Sequence, residues 1–179
     1  MATIYTIGHS TRTFDELVAA LQAHGVETLV DIRAFPMSRR MPHFNRESLE
    51  LELPKRGVAY VWRKELGGMR RKIRDDSPNT ALRNESFRNY ADYMLTAEFA
   101  TAIEKLLRIA EEGSGNTAIM CAERVYFQCH RMLVSDYLAA HGHTVLHIDD
   151  DKRAPRAHKL MADAHLVDGK LLYNAQELF

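Results

Sequence analysis

Eleven residues between Cys121 and Arg131 hold the densest chemistry in the chain: Cys121-Ala122-Glu123-Arg124, then Cys129-His130-Arg131. A thiol beside a carboxylate suits nucleophilic catalysis, with Glu123 as general acid or base and His9 or His130 as proton carrier. Glu123 also works against Cys121, because a nearby carboxylate raises a thiol pKa. Cys129 is better placed. It opens a helical stretch whose dipole favours a thiolate, and His130 and Arg131 flank it. Cys129 is therefore expected to be the more reactive thiol and Glu123 the acid–base group. A phosphatase-type C-x5-R loop fails because Phe127 occupies the arginine position. A C-x-x-C motif fails because seven residues separate the cysteines. A zinc site needs two more ligands from His9, His130, His147 or His158, which follow no regular spacing. Two alternatives stay open: inert core cysteines, or two thiols from adjacent elements close enough for redox sensing.

A second set of residues points to an anion. Gly8-His9-Ser10 ends an apolar stretch without matching G-x-G-x-x-G, a P-loop or G-x-S-x-G. It offers a tight backbone with His9 or Ser10 facing a ligand. Arg33 and Arg39 follow another apolar stretch, and an arginine fork suits phosphate or carboxylate, although Asp31 is an obvious internal partner. The chain is neutral overall, with 24 basic and 24 acidic residues. The segment from Asp31 to Arg74 nevertheless carries a net +7, and the remainder −7. Phe35, Phe44, Tyr60 and Trp62 interleave with those charges, as stacking platforms for nucleic acid or as ordinary core.

The elements that position these residues alternate between strand and helix. Thr3–Ile7, Thr28–Ile32, Val58–Trp62, Thr117–Met120 and Thr144–Ile148 read as strands. Thr13-Phe14-Asp15-Glu16 is a capping box opening a helix that stops near Gly25. Asn45 opens a second helix, ended by Pro54. Phe87–Leu95, Glu98–Ala110, Cys129–Ala140 and Ala157–Ala164 read as further helices, and Asp168-Gly169 as a turn. Lys64 to Asn84 has almost no periodic apolar signal, and a loop of that length in a compact domain is usually functional. This alternation predicts a single α/β domain over residues 1–179. It has three layers, a mostly parallel sheet of about five strands, and helices on both faces. Ligands of such sheets sit beyond the carboxyl ends of the strands, where His9-Ser10, Arg33, Cys121-Glu123 and His147-Asp149 emerge.

No apolar run approaches the roughly 20 residues that span a bilayer. No secretory signal is visible, and two cysteines suit a reduced cytoplasmic setting.

Several motifs together resemble the family called domain of unknown function 488. They are Thr6-Ile7-Gly8-His9-Ser10, Val30-Asp31-Ile32-Arg33, Pro36-Met37-Ser38-Arg39, Leu66-Gly67-Gly68, Phe87-Arg88-Asn89-Tyr90-Ala91, Met120-Cys121-Ala122-Glu123 and Cys129-His130-Arg131. A weaker echo lies at His158. The resemblance implies a compact bacterial or archaeal α/β protein and supplies no established reaction. Its motifs add Gly67, Gly68 and Tyr90 to the candidate substrate-binding set of Ser10, Arg33, Arg39 and Arg131. The candidate catalytic set is Cys121, Glu123, Cys129, His130 and His9. The expectation is an enzyme acting on a phosphate-bearing ligand, either a nucleotide or nucleic acid. A non-catalytic nucleic-acid-binding module and a thiol redox sensor using Cys121 and Cys129 are the alternatives. The sequence indicates no membrane partner and identifies no cofactor or metal.

Overall fold

The computed structural model describes residues 1–175. Strands β1 (Thr3–Gly8), β2 (Val26–Asp31), β3 (Ala59–Trp62), β4 (Asn116–Cys121) and β5 (Thr144–His147) run parallel. A two-residue strand, β6 (Arg156–Ala157), closes the sheet antiparallel to β5, in the order β3-β2-β4-β1-β5-β6. The sheet thus has six strands rather than about five, the extra one a short edge. The order matters for chemistry. It sets β2, β4, β1 and β5 side by side, so the four chemically equipped strand ends expected to converge do emerge as neighbours.

Side-chain alternation along each strand divides the core into two layers. Ile4, Val30, Ile119 and Val145 pack against α3 (Glu85–Tyr93), α4 (Ala97–Glu112) and α5 (Arg131–Ala140). Ile7, Leu29, Ala118 and Met120 face α1 (Phe14–Ala23) and α2 (Arg46–Glu52). Fully burying one such side chain is worth roughly 1.5–3 kcal/mol, so both helical layers are driven onto the sheet. The capping box forms as expected: Glu16 N–H donates to Thr13 Oγ1 at 3.1 Å, and Thr13 N–H to Glu16 Oε1 at 2.9 Å.

Two helical expectations fail, each for a physical reason. Ala157–Ala164 is not a helix. His158 N–H donates to the Val145 carbonyl, and its ring is pinned between His147 and Asp136, which holds the chain extended. A hairpin follows, β7 (Ala164–Val167) and β8 (Lys170–Tyr173). Asp168 and Gly169 turn it with φ of 50° and 77°. The helix expected from Cys129 starts instead at Arg131, because Cys129 is extended at φ −140°.

The Lys64–Asn84 segment has only one short helical turn, Lys64–Leu66, and is anchored by its neighbours. Tyr90 Oη donates to the Leu66 carbonyl at 2.7 Å, and Tyr93 Oη to that of Glu65 at 2.6 Å. Arg70 lies 3.7 Å above the Tyr93 ring and donates to the Gly67 and Glu65 carbonyls. Much of the basic segment is neutralised locally. Arg33, Arg46, Lys55, Arg56, Lys72 and Arg74 each pair with a carboxylate. Asp15, Asp75 and Asp76, outside the segment, supply three of those partners. Among the described residues no helix is long and apolar enough to cross a membrane.

Candidate active site at two cysteines

Cys121 is the last residue of β4, on the sheet face that carries α3–α5, and Cys129 immediately precedes α5. The chain between them leaves β4, makes a short helical turn at Tyr126–Gln128 and brings the two free thiols together, Sγ to Sγ 2.8 Å. Three contacts hold that loop against β1. His9 N–H donates to the Cys121 carbonyl, Ser10 N–H to the Ala122 carbonyl, and Gly8 lets the backbones approach. A Cβ on Gly8 would lie 1.8 Å from the Glu123 carbonyl oxygen. Gly8→Ala must therefore displace one of the two backbones. It is expected to cost about 1–3 kcal/mol, read by urea unfolding, and to alter the alkylation rate of Cys129. An unchanged midpoint and rate would mean that the loop is not held there.

The two thiols are electrostatically unequal. Burial pushes the Cys121 thiol up, and so does sharing its proton with Cys129. The hydrogen bond from Cys121 pulls Cys129 down to about 7, against the effect of its own burial and with help from Arg131. The Arg131 N–H also donates to Cys129 Sγ at 3.4 Å.

Arg131 itself is only 1% exposed. Among the described residues its guanidinium touches no carboxylate: it donates to the Glu123 and Arg124 carbonyls, both at 3.0 Å, and to Thr6 Oγ1 at 3.3 Å. Beyond Thr6 the contacts continue to His147 Nδ1 (2.6 Å), then from His147 Nε2 to His158 Nδ1 (2.9 Å) and from His158 Nε2 to Asp136 (2.7 Å). With neutral imidazoles and an ionised Asp136 the donors close in one direction, each proton pointing from Arg131 toward Asp136. Tyr126, from the cysteine loop, stacks flat on His147 at 3.8 Å.

A cleft of about 310 Å³ opens over the thiols. Seven of the twelve candidate residues line it: Arg33, Gly68, Tyr90, Cys121, Glu123, Cys129 and His130. His130 Nε2–H donates to the Ile32 carbonyl at 2.9 Å, leaving Nδ1 as an acceptor. A Cβ on Gly68 would sit 2.8 Å from that Nδ1, so glycine keeps the space free. The Glu123 carboxylate is exposed and unpaired among the described residues. Gly67 packs its backbone against Ala34, beneath the rim. Ser10 acts through its backbone, and Arg131 lies below the cleft floor.

The two arginines expected to form an anion site are separated in role. Arg33 is buried and uses four of its five N–H donors internally: it donates to both Asp31 oxygens (2.9 and 2.6 Å), to the Phe44 carbonyl (2.7 Å) and to His9 Nε2 (3.3 Å). Arg39 is exposed and makes no polar contact among the described residues. His9 is buried against the Phe44 ring, and burial lowers its pKa to about 4. His130 is likewise held down to about 4. Neither imidazole is a cation at neutral pH. Among the described residues no three His, Cys, Asp or Glu side chains converge on a metal position.

A family model described as Domain of unknown function DUF488 matches residues 13–138, more than half of the chain. The chain belongs to that family. No curated protein and no solved structure matches it. The DUF488 match includes both cysteines, Arg131 and Asp136 but not Thr6, His147 or His158. The five-residue chain of contacts behind the thiols therefore draws three members from outside the matched stretch. Sequence reasoning passed over Asp136, Thr6 and Tyr126. Asp136 did carry a signal, an acidic residue among Leu133, Val134 and Leu138 on the inner face of α5.

Proposed function

We propose that this DUF488 chain carries out thiol–disulfide exchange, with Cys129 as the attacking thiolate and Cys121 as the resolving thiol. The observation that carries the reading is the 2.8 Å approach of two thiols whose pKa values are shifted in opposite directions, Cys121 upward and Cys129 down to about 7. An exchanging pair needs that inequality: one sulfur ionised to attack, the other kept protonated until a mixed disulfide forms. Arg131 supports the thiolate from below, and the cleft admits a reacting sulfur from above. Phosphate-ligand chemistry draws less support, since Arg33 is occupied by Asp31 and a free Glu123 carboxylate faces the same cleft. Pairing of the basic segment likewise leaves little to favour a nucleic-acid groove.

Mass spectrometry after reaction with a nitroaromatic disulfide tests the proposal. The wild-type chain is expected to release two thiolates and end unlabelled, as an internal disulfide. Cys121→Ser should release one and remain tagged at Cys129, and Cys129→Ser should react slowly. A wild-type chain that stays tagged at Cys129 would remove Cys121 from the reaction and with it the exchange.

A further inference from the structure

We infer that the disulfide attacked at this site belongs to an apolar protein segment without acidic neighbours, rather than to a small acidic thiol such as glutathione. The inference rests on the exchange reading above and concerns what the cleft selects.

Two kinds of observation lead to it. The first is the rim. Phe35 is 67% exposed and Met69 78%, and both line the cleft over the thiols. Phe127, on the loop between the cysteines, is 55% exposed. A second cleft, about 470 Å³, shares Ala34 and Phe35 with the first and continues along Met37 and Trp62. The two clefts adjoin at Ala34 and Phe35, so apolar surface extends from the thiols past Phe35. Large apolar side chains gathered round one opening mark a binding surface, whereas scattered ones do not. Met69 also holds a left-handed backbone at φ 58°, which a side-chain-bearing residue adopts only at a cost. Methionine is adaptable enough to pack against varied apolar partners.

The second is charge. The carboxylate at the thiols, Glu123, has no partner among the described residues, and the charge of the one arginine lining the same cleft, Arg33, is paired with Asp31. Burial keeps His130 neutral. With the Arg33–Asp31 and Arg46–Glu50 pairs neutral, the charges lining the two clefts that lack an ion-pair partner among the described residues are Glu123 and Glu47 against Lys64, a net negative charge that opposes incoming carboxylates. Glutathione disulfide carries several. A neutral or cationic segment with aromatic or aliphatic flanks meets no such opposition.

The step balances without further reagents. Cys129 thiolate forms a bond to one substrate sulfur as the substrate S–S bond breaks, and the departing thiolate takes a proton from solvent. Cys121 gives its proton to solvent and attacks the Cys129 sulfur, and the second substrate thiolate leaves and is protonated. Two electrons pass from the two cysteines to the substrate, which ends as two thiols.

The test is single-turnover exchange of the full chain with three probes. They are an amidated peptide disulfide with phenylalanine on each side of cysteine, the same peptide with glutamate there, and glutathione disulfide. The aromatic peptide is expected to react at least tenfold faster than the other two. Glu123→Gln should narrow the gap by speeding the acidic probes, and Phe35→Ser with Met69→Ser should narrow it by slowing the aromatic one. Equal rates, or glutathione disulfide fastest, overturns the inference and leaves exchange itself standing. Failure of all three probes, with Cys129 still readily alkylated, overturns both.

Discussion

At pH 7 iodoacetamide is expected to label Cys129 about fiftyfold faster than Cys121, the ratio of thiolate fractions for thiols near 7 and near 9. Burial and proton sharing move Cys121 above that ordinary value and widen the ratio, while the weaker nucleophilicity of the lower-pKa thiolate narrows it. The Cys129 rate should rise with pH and level off above a midpoint near 7, where the Cys121 thiol and Arg131 hold its pKa. Cys121→Ser removes the first of these supports while keeping a hydroxyl donor, so its midpoint should rise modestly. Arg131 contributes a buried charge and a backbone donor, and Arg131→Lys should shift the midpoint upward by disordering the loop carbonyls it clamps. Peptide mapping of the alkylated chain against time and pH gives both quantities. Faster labelling of Cys121 would exchange the roles of the two thiols.

Acid should unfold this protein well before its carboxylates titrate. Burial holds His9 and His130 down to about 4 and His147 down to about 3, against 6.5 in the unfolded chain. Depressed histidines make the unfolded state the stronger proton binder. Their stability is intact above pH 6.5 and is lost as pH falls toward 4. At pH 5 each costs about 2 kcal/mol and the three together about 6 kcal/mol, within the range of a whole domain's stability of roughly 5–15 kcal/mol. Urea midpoints between pH 7.5 and 5 should fall steeply. His147→Gln, which keeps a hydrogen-bonding side chain without a titrating group, should flatten the slope. A flat stability profile across that range would mean that these imidazoles are solvated.

Much of the architecture was legible because it rests on short-range signals. Thr13 and Glu16 announce a helix start by chemistry alone, and Asp168-Gly169 announces a hairpin turn. Tertiary contacts decided the rest. Ala157–Ala164 has a helical composition, and only the grip of His147 and Asp136 on His158 keeps it extended. The candidate site was legible in its cysteines, whose unequal environments follow from one ending a strand and the other preceding a helix. Arg33 illustrates the opposite limit. Its type and place suited an anion and Asp31 was an obvious partner two residues away, but His9 and the Phe44 carbonyl, which complete its burial, come from other segments that only the tertiary fold brings to it. Phe35 reads as a stacking platform or ordinary core and Met69 is not singled out, because exposure beside the thiols is a tertiary property with no sequence signature.

The chain of contacts from Arg131 through Thr6, His147 and His158 to Asp136 ends on a guanidinium, and a guanidinium does not surrender its protons. The sulfurs, which meet Arg131 through its backbone N–H, are thus insulated from the protons of the histidine chain. Asp136 can polarise the cation under Cys129 while every proton exchanged in the chemistry travels through the open cleft. Bulk buffer, rather than the interior histidines, then sets how quickly a departing thiolate is quenched. Oxidation would leave the Arg131 charge facing two neutral sulfurs, with Asp136 joined to it through three intervening side chains.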